Sequence, residues 1–378
     1  MYNRPIAAPV PRSESAKDWF PFAAEGADLT ENFKKLLASP TIASKRWITE
    51  QYDTMVRTNT LAGPGTSDAA VVRLKGTKRA LALATDGNGR WAFLNPKLGA
   101  MHAVAEAARN VAASGARPIA ATNCLNFGSP EKPEVMWQFS QAIDGLRDAC
   151  VALGTPITGG NVSFYNETLG KSIYPTPTIG LLGILDDAGK VLKIAFRNAG
   201  DVILLLDGSV GAGSAVNGAR EFSSSEYSKT IAGIVAGEPP SIDLSAEKRL
   251  IDCLVALAEA GTLSSAHDLS DGGLAVGLGE SCFAGGFGAR IAVPGNNPAE
   301  FEIFNERGAR AIISVSPENL ASVLEVAENH VVATSEIGKV TSDKTLRIEY
   351  NGYTTVSSVL PALQDVWAHG LERALKIR

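Results

Sequence analysis

The chain has 378 residues, enough for two domains at about 100–200 residues each. Hydrophobic residues make up 45% and charged residues 20%, which excludes an intrinsically disordered chain. Lys plus Arg number 35 against 40 Asp plus Glu, and the resulting net charge of −5 argues against wholesale binding to nucleic acid or to an anionic membrane.

In chain order, residues 1–60 read as a leader. Pro5, Pro9, Pro11 and Pro21 oppose early regular structure, and helical patterns follow at 29–37 and 44–52. The start, Met1-Tyr2-Asn3-Arg4-Pro5, lacks the charged-then-apolar order of a secretory signal. The longest apolar runs, such as 202–206, are strand-sized, so the expectation is a cytoplasmic protein with no membrane span. A first unit, 61–188, opens with strands at 68–74 and 79–85, paired antiparallel across Gly76. A helix at 99–114 ends at Gly115, a strand follows at 118–122, and a long helix runs from Pro133 to near Gly154. A strand at 178–185 closes the unit.

The charged turn Asp186-Asp187-Ala188-Gly189-Lys190 leads into a second unit, 189–350. It contains strands at 201–206, 311–315 and 332–340, and helices at 246–260, 273–283 and 317–329. A tail, 351–378, is expected to be helical. Strands and helices interleave throughout, which gives an α/β (α+β) class in two domains meeting near residue 190.

Glycine loops are the usual place to look for a nucleotide. Asp207-Gly-Ser-Val-Gly-Ala-Gly-Ser follows a strand, but its spacing is not G-x-G-x-x-G, and no G-K-[ST] motif ends a glycine loop. Three other segments suit phosphate and a divalent cation. Thr158-Gly-Gly-Asn-Val-Ser163 reads as a turn that offers backbone N–H groups to an anion, with Asn161 and Ser163 as neutral oxygen donors. His267-Asp-Leu-Ser-Asp-Gly-Gly273 places two carboxylates and a hydroxyl at a helix start. Glu106 and Asn110, four apart on a helix, present two oxygen ligands on one face. Each also has an ordinary reading as a helix start or a surface turn.

Cys124, Cys150, Cys253 and Cys282 show no C-x-x-C spacing and read as reduced core thiols. Among the histidines, His102, His330 and His369 fall in helical patterns; His267 neighbours polar residues and suits loop anchoring as well as proton transfer. No Ser-His-Asp arrangement can be assembled.

Together these segments carry a resemblance. Asp86-Gly-Asn-Gly-Arg, Asn95-Pro-Lys-Leu-Gly-Ala, Glu106-Ala-Ala-Arg-Asn110, Gly115-Ala-Arg-Pro and Leu125-Asn-Phe-Gly-Ser-Pro-Glu-Lys-Pro-Glu occur in this order. Gly159-Gly-Asn-Val-Ser-Phe-Tyr-Asn-Glu, Tyr174-Pro-Thr-Pro-Thr-Ile-Gly and His267-Asp-Leu-Ser-Asp-Gly-Gly-Leu follow them. From about residue 50 to 345 the chain resembles phosphoribosylformylglycinamidine synthase, the synthetase component, within the superfamily that includes aminoimidazole ribonucleotide synthetase. The Asn-Phe-Gly and Gly-Gly-Asn-Val-Ser blocks set it apart from selenophosphate synthetase and thiamine-phosphate kinase relatives.

The resemblance implies a ligase of purine biosynthesis that uses ATP to join ammonia, from glutamine, to formylglycinamide ribonucleotide. It implies an N-terminal domain of mixed sheet with helices and a C-terminal α/β domain, with two N-terminal domains pairing their sheets into a barrel. Asn123 and Gly160 would contact ATP, Asn161 would bind magnesium and Ser163 would touch the ribonucleotide. Asn123 stands where many relatives carry Asp. An auxiliary nucleotide site would place magnesium on Asp68, Glu106, Asn110 and Asp268, with Ser270 at an ADP. The resemblance is to the second half of the synthetase only. The catalytic histidines belong to the first half, so no catalytic residue is assigned here and His267 does not take that role. Implied partners are a first-half polypeptide or a homodimer mate, a glutaminase subunit and a small bridging subunit. A nucleotide-binding scaffold that holds ADP without turnover is the competing expectation.

Overall fold

A computed structural model of the chain describes residues 4–9, 19–209 and 218–376. Pro11 of the leader and residues 210–214 of the glycine-rich run lie outside them. Two helices come first, α1 (Thr30–Leu37) and α2 (Arg46–Thr49). Then follow β1 (Thr60–Ala62), β2 (Ala70–Arg73), β3 (Ala80–Asp86), α3 (Gly89–Leu94), α4 (Pro96–Ala113), β4 (Arg117–Asn126) and α5 (Pro133–Leu153). Next are β5 (Ile157–Ser163), the hairpin strands β6 (Glu167–Thr168) and β7 (Lys171–Ser172), and β8 (Thr176–Leu185).

Six of these strands form one sheet in the order β1-β2-β3-β8-β4-β5. All neighbours are antiparallel except β4 and β5, which run parallel because α5 carries the chain back between them. Burial along β8 alternates with period two: Ile179, Leu181 and Leu185 face the core, while Thr178, Gly180 and Leu182 face outward. Helices α4 and α5 cover the inner face. Asn95 caps α4 by accepting the Leu98 N–H at 3.1 Å, and Pro96 occupies its first turn. Alanines line the buried side of α4, and α5 crosses it so closely that a Cβ on Gly145 would fall 2.3 Å from the Lys97 carbonyl oxygen. The other face is open and carries exposed Leu83, Ile119 and Val162.

The segment 158–163, expected as a phosphate-binding turn, is instead the edge strand β5. Its backbone pairs with β4 from Ile157 opposite Ala121 to Ser163 opposite Asn126. Gly160 permits the close pairing: a Cβ there would lie 2.2 Å from the Asn123 Oδ1.

The second unit contains β9 (Val202–Asp207), α6 (Gly218–Phe222), α7 (Glu226–Ala232), α8 (Leu244–Ala260), β10 (Ser265–Asp268), α9 (Gly273–Gly285) and β11 (Gly288–Val293). It continues with α10 (Ala299–Phe304), β12 (Arg310–Val315), α11 (Leu320–Asn329), β13 (Ala333–Thr341), β14 (Thr345–Tyr350), β15 (Tyr353–Val359) and α12 (Leu360–Lys376). The sheet order is β10-β12-β9-β13-β11-β14-β15, antiparallel apart from the β11–β14 pair. Strand β9 is apolar on both faces. Val202, Leu204 and Leu206 join a core shared with α4 and α8, whereas Ile203 joins a second core under α1, α9 and α12.

The motif beginning at His267 is therefore part strand and part turn. His267 and Asp268 end β10, and Gly272 and Gly273, at φ 78° and 62°, swing the chain into α9. The leader segment also has a specific place. Phe20, Leu29, Phe33, Leu36, Leu37 and Ile42 are all buried in the second core, each contributing about 1.5–3 kcal/mol if fully withdrawn from water. The tail opens as strand β15 before it becomes helical, and α12 packs against α1 and α9.

Candidate functional site

Helix α4 belongs to the first unit but faces α8 and β10 of the second, and at this junction its alanine surface is broken by charge. Arg109 is only 2% exposed. Its Nε donates to Asp268 Oδ1 at 2.6 Å, and its Nη1 donates to both Glu247 oxygens at 2.7 and 2.8 Å. Glu247 also accepts the Ala309 N–H at 2.9 Å. One guanidinium thus joins α4 to β10 and α8 with strong, charge-assisted bonds.

Asp68, in the loop before β2, reaches the same place. Its Oδ2 accepts the Asp268 main-chain N–H at 2.8 Å, and its Oδ1 lies 2.6 Å from His267 Nδ1. His267 Nε2 is 3.1 Å from Glu280 Oε2. Burial alone would depress the imidazolium, yet Asp68 and Glu280 outweigh it and hold the His267 pKa well above its ordinary value. His267 is thus a clamped anchor between two carboxylates.

Two further carboxyls complete the cluster. Glu106, one turn before Asn110 on α4, hydrogen-bonds to Asp86 at the end of β3. Burial pushes Asp86 up to about 7, the bond to Glu106 pulls it back, and the charge of Asp271 raises it further. Glu106 is pushed well above the carboxylate range by burial and then by Asp86 and Asp268. Asn110 and Ser270 are half-buried, one turn from Glu106 and two residues from Asp268 respectively.

A related network lies beyond Asp271. Arg90 Nη1 pairs with Glu226 Oε2, while its Nη2 stands 3.7 Å from both Asp271 Oδ1 and Glu306 Oε2. Arg90 Nη2 and Glu306 Oε2 are buried without a hydrogen-bond partner. Burial, then repulsion from Asp271, pushes Glu306 up to about 8.

The cluster fits a magnesium-bound phosphate group better than a closed metal cage. Among the described residues no three His, Cys, Asp or Glu side chains are arranged to hold an ion by themselves. Oxygen donors in excess of local cations are nonetheless the chemistry magnesium takes, with one or two carboxylates completed by water and phosphate. Asp68, Glu106 and Asp268 are brought together. Asn123, Gly160, Asn161 and Ser163 are not part of this group and lie along the β4–β5 edge of the first sheet. Asn161 is exposed there, and Ser163 Oγ receives the Asn166 Nδ2 at 3.1 Å.

Sequence reasoning missed Arg109, Glu247, Glu280 and Trp367. Only Arg109 carried a local signal, as a charge in an alanine-rich helical run three residues after Glu106. The four cysteines are free; Cys124 is half-buried with Asn126 as its side-chain neighbour. His102 is buried with Nε2 2.7 Å from the Pro240 carbonyl oxygen, a structural role. A groove of about 1020 Å³ on the second sheet, lined by Arg290, Glu336, Asp343 and Arg347 among others, contains none of the site residues. Among the described residues no helix is long and apolar enough to cross a membrane.

Comparison with known proteins follows the same two-unit division. Residues 66–185 match the AIR synthase related protein N-terminal domain, and residues 198–351 match its C-terminal domain. The phosphoribosylformylglycinamidine synthase subunit PurL of Moorella thermoacetica is 46% identical over 336 residues, covering 89% of this chain and 44% of that protein. The corresponding subunit of Carboxydothermus hydrogenoformans is 43% identical over 378 residues, covering 100% of this chain and 50% of its own length. The chain therefore spans about half the length of the curated relatives it matches. Among solved structures, Thermotoga maritima PurL complexed with FGAR superposes with a TM-score of 0.68 at 22% identity, over 88% of this chain and 53% of that one. That likeness is one of fold.

Proposed function

The chain belongs to the AIR synthase related family, and from that premise we propose that it supplies the second half of a phosphoribosylformylglycinamidine synthase, an ATP-dependent C–N ligase of purine biosynthesis. In this reading ATP phosphorylates the amide oxygen of formylglycinamide ribonucleotide, ammonia from glutamine displaces the phosphate, and the amidine, ADP and phosphate leave. Asn123 and Gly160 contact ATP, Asn161 takes magnesium and Ser163 meets the ribonucleotide on the β4–β5 edge. Asp68, Glu106, Asn110, Asp268 and Ser270 hold a second nucleotide with its magnesium. Bound magnesium offsets phosphate charge; the protein orients the reactants.

The catalytic groups come from a first-half polypeptide, or from a homodimer mate, set against the open face of the first sheet. A glutaminase subunit and a small bridging subunit supply ammonia to the joint site. In this reading the N-terminal unit is 61–188 and the C-terminal unit 189–350.

The supporting observation is the convergence of Asp68, Glu106 and Asp268. Asp68 and the Asp268 N–H are 200 positions apart in sequence and meet at 2.8 Å. A fold without a ligand there would gain little by collecting repelling carboxyls at a unit junction. The buried position of this cluster also favours a second reading, in which the chain is a scaffold that retains ADP and contributes no chemistry. The test is amidine formation from formylglycinamide ribonucleotide, ATP and ammonium, by the chain alone and with a first-half polypeptide. Turnover only in the mixture is expected. Turnover alone overturns the half-site reading, and no turnover in either arm, with ADP retained, favours the scaffold.

A further inference from the structure

Behind Asp68 runs a chain of side chains that reaches the C-terminal helix. Asp68 Oδ1 faces His267 Nδ1 at 2.6 Å, His267 Nε2 faces Glu280 Oε2 at 3.1 Å, and Glu280 Oε1 accepts the Trp367 Nε1–H at 3.2 Å. Four elements contribute one member each: the loop before β2, then β10, α9 and α12. The backbone of each is fixed independently. His267 is held opposite Ile312 in the β10–β12 ladder. Helix α9 approaches β10 closely enough that a Cβ on Gly277 would lie 2.7 Å from Leu269 Cδ2 and 3.7 Å from His267 Cδ2. Glu280, one turn along the same helix, therefore reaches the far side of the imidazole. Trp367 packs its ring on Phe283 at 5.5 Å between centroids, and its carbonyl accepts the Ser44 N–H at 3.0 Å.

Both nitrogens of the ring face carboxylate oxygens, an arrangement that fixes the plane of the imidazole. Both oxygens of Asp68 are also engaged, one by His267 and the other by the Asp268 N–H at 2.8 Å. Each oxygen keeps a lone pair free, and the carboxylate cannot rotate without losing a buried bond. Carboxylate ligands oriented in this way by outer partners bind metal more tightly than free ones.

We infer that His267, Glu280 and Trp367 are positioning residues that hold Asp68 in the orientation needed to receive a magnesium–nucleotide complex, so that helix α12 helps to set affinity at the junction site. The inference rests on the reading that Asp68 belongs to a magnesium–nucleotide site. Trp367 lies outside both matched domains, which end at residue 351, so this support is contributed by a part of the chain the family description does not cover.

The experiment is calorimetric titration of ADP with Mg²⁺ into the full chain, with thermal unfolding of each variant measured in the absence of nucleotide. His267→Ala is expected to weaken binding about 10–100-fold. His267→Asn, whose amide can donate to Asp68 from the place of Nδ1, recovers most of that loss. Trp367→Phe weakens binding by less than His267→Ala does. Asp68→Asn is the control for the site itself. Lost binding in Asp68→Asn with wild-type affinity in His267→Ala and Trp367→Phe overturns the relay and leaves the site reading intact. Wild-type affinity in Asp68→Asn overturns the site reading and the relay together. Lowered unfolding temperatures in every variant with affinity unchanged reduce the chain of bonds to a structural role and overturn the inference.

Discussion

The junction cluster and the β4–β5 edge carry the two sets of proposed nucleotide-binding residues, and they are built on opposite principles. At the junction three of the five groups are carboxyls, collected from distant parts of the sequence, and Asp68 and Asp268 are already bonded to each other. At the edge they are neutral and lie along two paired strands; Gly160 and Asn161 are exposed, and Asn123 and Ser163 are half-buried. The junction needs only a ligand to complete it. The edge needs a neighbouring surface, because neutral groups along an open sheet edge cannot exclude water from a reacting phosphate. The contrast matches a chain that keeps one site for itself and shares the other.

Substitutions should separate the two regions by size and kind of effect. The largest is expected for Arg109→Ala, which leaves Asp268 and Glu247 buried without their cation and should cost about 3–5 kcal/mol in urea unfolding. A loss below about 1 kcal/mol would mean that the junction is solvated and the contrast with the edge is false. Next is the pH dependence of stability. Glu306 titrates near 8 in the folded chain and near 4 when unfolded, so the folded state binds the extra proton. Its contribution is fully present below about pH 4 and is lost as pH rises towards 8. The slope from this one group reaches at most about 1.4 kcal/mol per pH unit, and Glu306→Gln should flatten it in unfolding curves between pH 5 and 8, roughly the window the two values bracket.

Gly160→Ala should have a smaller effect, about 1–3 kcal/mol, from forcing a Cβ against the Asn123 side chain and its main-chain oxygen. Equal stability of that variant and wild type would show that the edge strand can separate from β4. Smallest of all, Asn161→Ala should change stability by less than about 0.5 kcal/mol while weakening magnesium–ATP binding in the mixed assembly. Unchanged nucleotide affinity there would remove Asn161 from the shared site and sharpen the assignment of metal binding to the junction.

The sequence made the periodic elements legible. Helices α4, α5, α8 and α9 and strands β3, β8, β9 and β12 follow from apolar spacing, because their burial is set by one continuous face. Strand β5 was read as a turn because glycines, threonine and asparagine carry no apolar alternation, and its pairing is decided by β4, not by its own side chains. Strand β10 was hidden for a similar reason: its inward residues are serine, alanine, histidine and aspartate, all buried. Glu106 and Asp268 stood out by spacing, but Asp68 could be named, and joined to them in one site, only because whole motifs resembled a known family. Their partners Glu247, Glu280 and Trp367 could not, since each sits in a helix of ordinary apolar composition and acquires its role from a neighbour far along the chain. Burial of the leader was illegible in the same way. Its apolar residues have helical spacing, but the surface they cover is formed by strands that come hundreds of residues later.

Helix α1 therefore has an unusual history during synthesis. Leu29 donates its N–H to the Thr355 carbonyl at 2.8 Å, and the Ser357 N–H reaches Thr30 Oγ1 across 327 positions. Thr30 thus leaves the ribosome 327 positions ahead of the partner that holds it. The first sheet, by contrast, can close once residue 185 has emerged. Loop closure over such a span adds only slowly to the equilibrium cost, about 0.6 kcal/mol per doubling of length, but it delays the nascent chain. Helix α1 can meet α7 first, but its contacts are complete only with β15 and α12, so the second core closes after the first sheet.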